Sequence, residues 1–144
     1  MSSFSKIYLT ENLITNILRS RIHDPELTPG VQAILSLLYL NGSANQSDLC
    51  RFTSLKPAAM SMLLKKMEQS GFIEREVDSI DKRSHIVTLT SKGYKCAELI
   101  NSLCHDIEGV VLNDFTSSEA KSLEELLDKV YQNLDYISVP ENHA

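Results

Sequence analysis

One glycine, Gly71, separates two kinds of apolar patterning, and any fold for this chain must satisfy both within a few residues. Before it, Met60, Leu63, Leu64 and Met67 recur at i, i+3, i+4 and i+7, the stripe of an amphipathic helix. Lys56-Pro57 starts that helix, with proline suited to the first turn. After Gly71, residues 72–77 and 84–89 read as two strands, the second rich in β-branched residues, joined by a polar turn over 78–83. Upstream, Asn45 caps a short helix that carries Asp48 near its positive end, with Leu49 and Phe52 expected to face inward. Thr53-Ser54-Leu55 is the turn between the helices. Residues 46–70 thus have helix-turn-helix spacing. A hairpin directly after them makes a winged helix. The expected fold is mainly α with a small β-hairpin wing.

Long helices flank this lobe. Phe4, Ile7, Tyr8, Leu13, Ile14, Ile17, Leu18 and Ile22 recur at offsets of three and four, and Asp24-Pro25 ends the helix. Thr28-Pro29 opens the next one, VQAILSLLYL, apolar nearly all round and so expected to be buried, with Asn41-Gly42 as its stop. Thr90 caps a long helix with Ala97, Leu99, Ile100, Leu103, Ile107, Val110 and Val111 as apolar positions. Thr116-Ser-Ser-Glu119 is a capping box for the last helix. Its apolar positions are Leu123, Leu126, Leu127, Val130, Tyr131, Leu134 and Ile137, and the tail SVPENHA is expected to fray. The organisation is a single domain over 1–144, with a winged-helix DNA-binding lobe at 28–92 and a helical dimerisation region at 1–24 and 93–138. A lobe of about 65 residues cannot cover three long apolar helix faces, which suggests a two-fold dimer. Ile7, Leu13, Ile14, Leu123, Leu126, Leu127, Val130, Tyr131 and Leu134 are the expected dimerisation residues.

The net charge of -5 argues mildly against nucleic acid, but the distribution reverses this. Residues 51–95 hold nine Lys and Arg against five Asp and Glu, a local +4, and the remainder carries -9. A basic middle between acidic ends is aimed at one polyanionic partner or is an uneven solvated surface. No apolar run is long enough to span a membrane, and the N-terminus lacks a signal pattern, so the expected compartment is the cytoplasm. The three cysteines, Cys50, Cys96 and Cys104, have no metal-type spacing and fit reduced structural thiols. No nucleophile, base and orienting group come together, so an enzyme is not expected.

The helix of residues 57–70 fits a major groove about 12 Å wide. Its outward face offers Lys56, Ala58, Ala59, Ser61, Met62, Lys65 and Lys66. Small residues let the helix start approach base edges, Ser61 can donate or accept, and both lysines can reach phosphates. Singly, each has a plain alternative: Lys65 and Lys66 as a solvated face, Asp81 and Arg83 as a weak surface pair.

Together these residues resemble the MarR family of bacterial transcription regulators. The resemblance rests on LTPGVQAILSLL, on the helix pair from Asn45 to Ser70, on GFIERE, and on D-x-R-S-x-x-V-x-L-T-x-x-G from Asp81 to Gly93. It implies that Arg83 reaches the minor groove or adjacent backbone and that Asp81 orients it. Lys82 and Ser84 would lie beside the phosphates, with Val87 and Leu89 packing the strand. Family recognition helices often carry Thr-Arg or Ser-Arg where this chain has Ser61-Met62. Met62 can touch a thymine methyl but cannot make an arginine's bidentate guanine contact. The resemblance also implies a homodimer with terminal helices interlocked and winged helices ~34–36 Å apart, on a pseudo-palindromic double-stranded DNA operator.

The expected function is thus a sequence-specific repressor without cofactor or metal. Relatives often sense a small-molecule effector in a cleft between dimer helices and DNA-binding lobe, which Tyr39 could line, or fill as plain core. Relatives that sense oxidants use a cysteine in the first helix, and residues 1–49 contain none. His105, Asp106 and Glu108 are the nearest approach to a metal set, with no dense His cluster behind them, and His143 lies in the tail. The competing reading is a winged-helix protein-interaction module with little DNA affinity, which the acidic total and Met62 allow.

Overall fold

The helix starts are set by side chains that lie just ahead of them. In the computed structural model, which describes residues 1–138, the order is α1 (Ser3–Arg21), α2 (Pro29–Asn41), β1 (Ser43–Asn45), α3 (Gln46–Thr53), α4 (Pro57–Gln69), β2 (Ile73–Val77), β3 (His85–Leu89), α5 (Ser91–Val111) and α6 (Ser117–Ser138). Asn45 Oδ1 accepts from the Asp48 N–H at 2.9 Å, and Thr90 Oγ1 from the Gly93 N–H at 3.0 Å. Thr116 and Glu119 close a reciprocal capping box at 3.2 and 2.9 Å. Lys56 precedes α4 without a side-chain cap, and Pro57 starts the helix instead. Helix α1 stops at Arg21, short of Asp24-Pro25, where the Asp24 carboxylate takes the Glu26 N–H in a turn. His143 and all but the first residue of the SVPENHA tail lie outside the described residues.

The chain forms two compact units, residues 1–105 and the segment from Asp106 onward. The first holds the core: Ile34, Leu35 and Leu38 from α2, Leu49 from α3, Met60, Leu64 and Met67 from α4, Phe72, Ile73 and Val87 from the sheet, and Ala97 and Ile100 from α5. The helical stripe on α4 is therefore its packed face, except that Leu63 is only half-buried. Helix α2 is buried on one face rather than all round, since Leu40 is exposed. Phe52 also departs from expectation. It is exposed, because in so short a helix Leu49 alone points into the core and Thr53 turns back to donate to the Leu49 carbonyl.

The sheet has three strands in the order β1-β3-β2, all antiparallel, so the wing is more than a hairpin. Strand β1 has only three residues, too few to show alternation, and it pairs Ala44 with Val87. Strand β3 is thereby central, which accounts for its β-branched run and for the full burial of Val87.

At the other end of the wing, chain segments meet closely. Gly71 has φ +79°, a left-handed turn that ends α4 and launches β2. The Phe72 carbonyl accepts from the Thr90 N–H at 3.1 Å, and Thr90 Oγ1 donates to the Gly71 carbonyl. Lys92 reaches back to the Ser70 carbonyl at 2.7 Å, with its ammonium 4.6 Å from the Phe72 ring centroid. A Cβ on Gly93 would stand 1.9 Å from the Phe72 carbonyl oxygen, which is backbone and cannot swing away. Gly93→Ala is therefore expected to cost about 3 kcal/mol, read from denaturant midpoints at unchanged m-value.

Arg75 on β2 clamps Glu68 on α4 through two hydrogen bonds of 3.1 and 3.2 Å. Those bonds hold the Glu68 carboxyl below its ordinary value of 4.5. A depressed carboxylate stabilises the fold above the unfolded-state value and loses that contribution as pH falls through the folded one. Glu68→Gln should thus be less stable than the parent at pH 7. The gap should close in acid, where the parent's carboxylate is protonated, as urea titrations across pH would reveal.

Candidate nucleic-acid interface

With Met60, Leu64 and Met67 turned inward, α4 presents Ala58, Ala59, Ser61, Met62, Lys65 and Lys66 to solvent. Lys56 and Pro57 lie exposed at its start. Every residue expected to contact DNA from this helix is on its open side. Ala58 and Ala59 leave the first turn unobstructed, and its unpaired backbone N–H groups carry partial positive charge. Gln46, on α3, also reaches this face. Its side-chain amide donates to the Pro57 carbonyl at 3.3 Å and to Ser61 Oγ at 3.1 Å. Sequence reasoning missed Gln46, because 15 residues separate it from Ser61 and no local spacing joins them.

The wing tip is shaped by its own aspartates. Asp78 N–H donates to the Ser84 carbonyl and Ser84 N–H to the Asp81 carbonyl, both at 2.9 Å. Asp78 Oδ1 accepts from the Ile80 N–H at 2.9 Å. A single oxygen of Asp81 accepts from both the backbone N–H of Arg83, at 3.1 Å, and its Nε, at 3.2 Å. This bond fixes the base of the guanidinium, while the side chain remains 93% exposed. Lys82 is exposed beside it, and Ser84 is half-buried at the foot of β3. Ile80 is 95% exposed at the tip, an apolar residue that the polar look of residues 78–83 conceals. Between the wing and the starts of α3 and α4 runs a cleft lined by Gln46, Pro57, Asp81, Arg83 and Ser84 among others.

The basic residues of the middle segment divide into two sets. Arg75 is committed to Glu68, Arg51 pairs with Asp48 at 3.4 Å, and Lys92 is bound to the Ser70 carbonyl. Among the described residues Lys56, Lys65, Lys66 and Lys82 make no ion pair, and all four are exposed on α4, its cap or the wing. These four lysines share the surface of α4 and the wing, whereas Lys95, also unpaired, lies exposed on α5.

A second concavity of about 460 Å³ lies in the same unit. Leu18 and Arg19 of α1, Ile22 just beyond it, Gln32 and Ala33 of α2, and Ile100 and Cys104 of α5 are among its walls. Tyr39 is not among them. It packs against Tyr94 with ring centroids 5.2 Å apart, and the charge of Tyr94, followed by burial, pushes its hydroxyl pKa up. Cys50 and Cys96 are half-buried, as packed thiols would be, but Cys104 is exposed. Desolvation raises the thiol pKa of both Cys96 and Cys104, so neither is an activated thiolate at neutral pH. Among the described residues no three His, Cys, Asp or Glu side chains could share a metal ion. No described helix is long and apolar enough to cross a membrane.

The expected dimerisation residues remain uncovered. Neither α1 nor α6 has a buried residue. Ile7 and Leu13 on α1 and Leu126, Leu127, Tyr131 and Leu134 on α6 are exposed, and Ile14, Leu123 and Val130 are half-covered.

Known proteins share this arrangement. The family model described as MarR family matches residues 27–85. The uncharacterized HTH-type transcriptional regulator YwhA of Bacillus subtilis is 32% identical over 100 residues, spanning 69% of this chain and 71% of its own. A putative MarR family regulator from Listeria monocytogenes, solved in complex with a 26mer DNA, superposes with a TM-score of 0.84 at 21% identity, over 96% of this chain and 92% of that one. NadR in complex with 4-hydroxyphenylacetate superposes at 0.76 with 23% identity, over 89% and 90%. The chain belongs to the MarR family, a winged-helix, DNA-binding transcriptional regulator and not an enzyme.

Proposed function

We propose that this regulator is a cytoplasmic homodimer that represses transcription by occupying a pseudo-palindromic operator. The lobe of residues 28–92 binds DNA, and residues 1–24 and 93–138 form the dimer. The observation that carries this reading is Arg83, extended on an exposed wing and held by Asp81 beside the open face of α4. In this scheme α4 enters the major groove, with Ala58, Ser61 and Met62 toward base edges and Lys56, Lys65 and Lys66 toward phosphates. Arg83 enters the flanking minor groove, where negative potential is concentrated, and Lys82 and Ser84 meet the backbone beside it. A bound dimer covers about a turn of duplex between half-sites and excludes polymerase from it. The uncovered apolar faces of α1 and α6 support dimerisation.

Release by a small-molecule effector completes the scheme. The cavity among α1, α2 and α5 is of ligand size and mostly apolar in its wall area, with Thr15, Arg19, His23, Asp24, Gln32 and Ser36 as polar groups. NadR, of the same fold, is known with 4-hydroxyphenylacetate bound.

The test is selection of bound duplexes from a random pool, followed by titration at several salt concentrations. A pseudo-palindrome and a steep loss of affinity with salt are expected, and a folded protein that enriches nothing would overturn the reading. Lys65→Ala should flatten the dimer's salt slope by up to about 1.8, about 0.9 for each half-site. Arg75→Ala should leave that slope unchanged, because its charge is spent on Glu68. Arg83→Ala should weaken operator binding by about ten-fold while sedimentation still reports a dimer at micromolar concentration. A sedimenting monomer in the parent protein would remove the dimer from the scheme.

A further inference from the structure

The Gln46 side chain does more than tie α3 to α4. Its nitrogen faces two oxygens, the Pro57 carbonyl at 3.3 Å and Ser61 Oγ at 3.1 Å. A carbonyl oxygen can only accept, so the side-chain amide must turn its NH₂ group, not its oxygen, toward Pro57. The orientation of an amide side chain is fixed by such a network, and here the network has one solution. The NH₂ group carries two hydrogens. One goes to Pro57, and the other goes to Ser61 Oγ.

That assignment polarises Ser61. A serine hydroxyl ordinarily rotates to donate or accept as its partner demands. With Gln46 donating to its oxygen, the hydrogen of Ser61 points away from Gln46. Ser61 is exposed on the outward side of α4, so it offers a donor to whatever approaches that face. In the major groove, guanine, adenine and thymine all present acceptors, whereas cytosine presents only its amino donor.

We infer that Gln46 is a positioning residue for sequence readout. It occupies one of the two lone pairs of Ser61 and turns its hydrogen outward, so that α4 favours an acceptor over cytosine at one position of each half-site. The inference rests on the groove placement of α4 proposed above and adds to it which bases that helix tolerates. Thymine suits the face best, since its O4 accepts from Ser61 and its methyl group can meet the neighbouring Met62.

The experiment compares base preferences, position by position, in duplexes selected by the parent, by Gln46→Met, by Ser61→Ala and by the double variant. Gln46→Met keeps the length of the side chain but frees the Ser61 hydroxyl to rotate. Ser61→Ala is an exposed substitution toward a better helix former, so it keeps the fold. The expected result is that cytosine is disfavoured at one position per half-site in the parent. Each single variant relaxes that discrimination by about two- to ten-fold, the worth of one hydrogen bond. The double variant should match Ser61→Ala alone, because Gln46 acts through Ser61.

Unchanged preferences in both single variants, with a parental operator recovered, would overturn this inference and leave the DNA-binding reading intact. So would a Gln46→Met effect spread over all positions while Ser61→Ala changes nothing, since that is the behaviour of a purely structural contact. No enrichment by the parent would remove the function and this inference together.

Discussion

The backbone of Gly71 and Phe72 is where the DNA-binding lobe is held together. Four chain segments meet there: the end of α4, the start of β2, the end of β3 and the start of α5. Apart from the Lys92 ammonium, the joint is made of backbone groups and one hydroxyl, so it has little freedom to adjust. Phe72 is 1% exposed, its carbonyl takes the Thr90 N–H, and Thr90 Oγ1 both donates to Gly71 and accepts from Gly93. Lys92 satisfies the Ser70 carbonyl at the open end of α4, where a helix otherwise leaves its last acceptors unpaired. Only a residue without a Cβ fits at position 93. The direction of α4, the root of the wing and the start of α5 are therefore one mechanical unit. Helix α5 also lines the cavity, through Ile100 and Cys104. In the proposed scheme, a ligand that bound better to one placement of α5 than another would act on the joint, which is the physical requirement for coupling the cavity to α4.

What the sequence made legible follows from how local each determinant is. Caps and stops act within three or four residues, so Asn45, Thr90, Thr116, Gly42 and Gly71 mark their elements without help from the rest of the chain. The open face of α4 followed from the stripe of Met60, Leu64 and Met67 opposite it. Strand β1 was hidden because its pairing partner lies more than forty residues away and its three residues carry no period of their own. Phe52 was misplaced for a related reason. A periodicity argument needs more than two turns to tell a core position from its neighbour. The basic cluster was visible as composition, but its division was not. Arg75 and Lys92 look like Lys65 and Lys66 until tertiary contacts tie them to Glu68 and Ser70. Gln46 stayed unseen by the same logic, since its significance is a contact across the helix pair.

The two units differ in what they conceal. The first buries a continuous core, yet α1 contributes no buried residue to it. In the second, α6 is amphipathic but has no buried residue either. The apolar stripe repeated along 22 residues of α6 is what the proposed dimer would cover. Patches of that extent are ordinarily covered by a partner, and a second copy of the same chain brings the same stripes. This agrees with the division of labour in the sequence, where the ends carry the long helices and the acidic charge while the middle carries the cations.

That division also bears on how an acidic protein approaches a polyanion. With a net charge of -5, the chain as a whole is repelled by DNA at distances where its charges act as a sum. Within a Debye length, about 8 Å at physiological salt, the local arrangement dominates. In the proposed docking the local attraction comes from the face built by α4 and the wing, through Lys56, Lys65, Lys66, Lys82 and the Asp81-held Arg83. Pairing Arg75 with Glu68 through two hydrogen bonds takes one cation out of the attractive surface. In that scheme, repulsion from the acidic remainder would lower non-specific binding, which is almost wholly electrostatic. Contacts made only in the docked orientation, by the start of α4 and the wing tip, are not weakened to the same degree. On the proposed function, the acidic remainder would thus raise the ratio of specific to non-specific affinity, the quantity that decides occupancy of one operator among many competing sites.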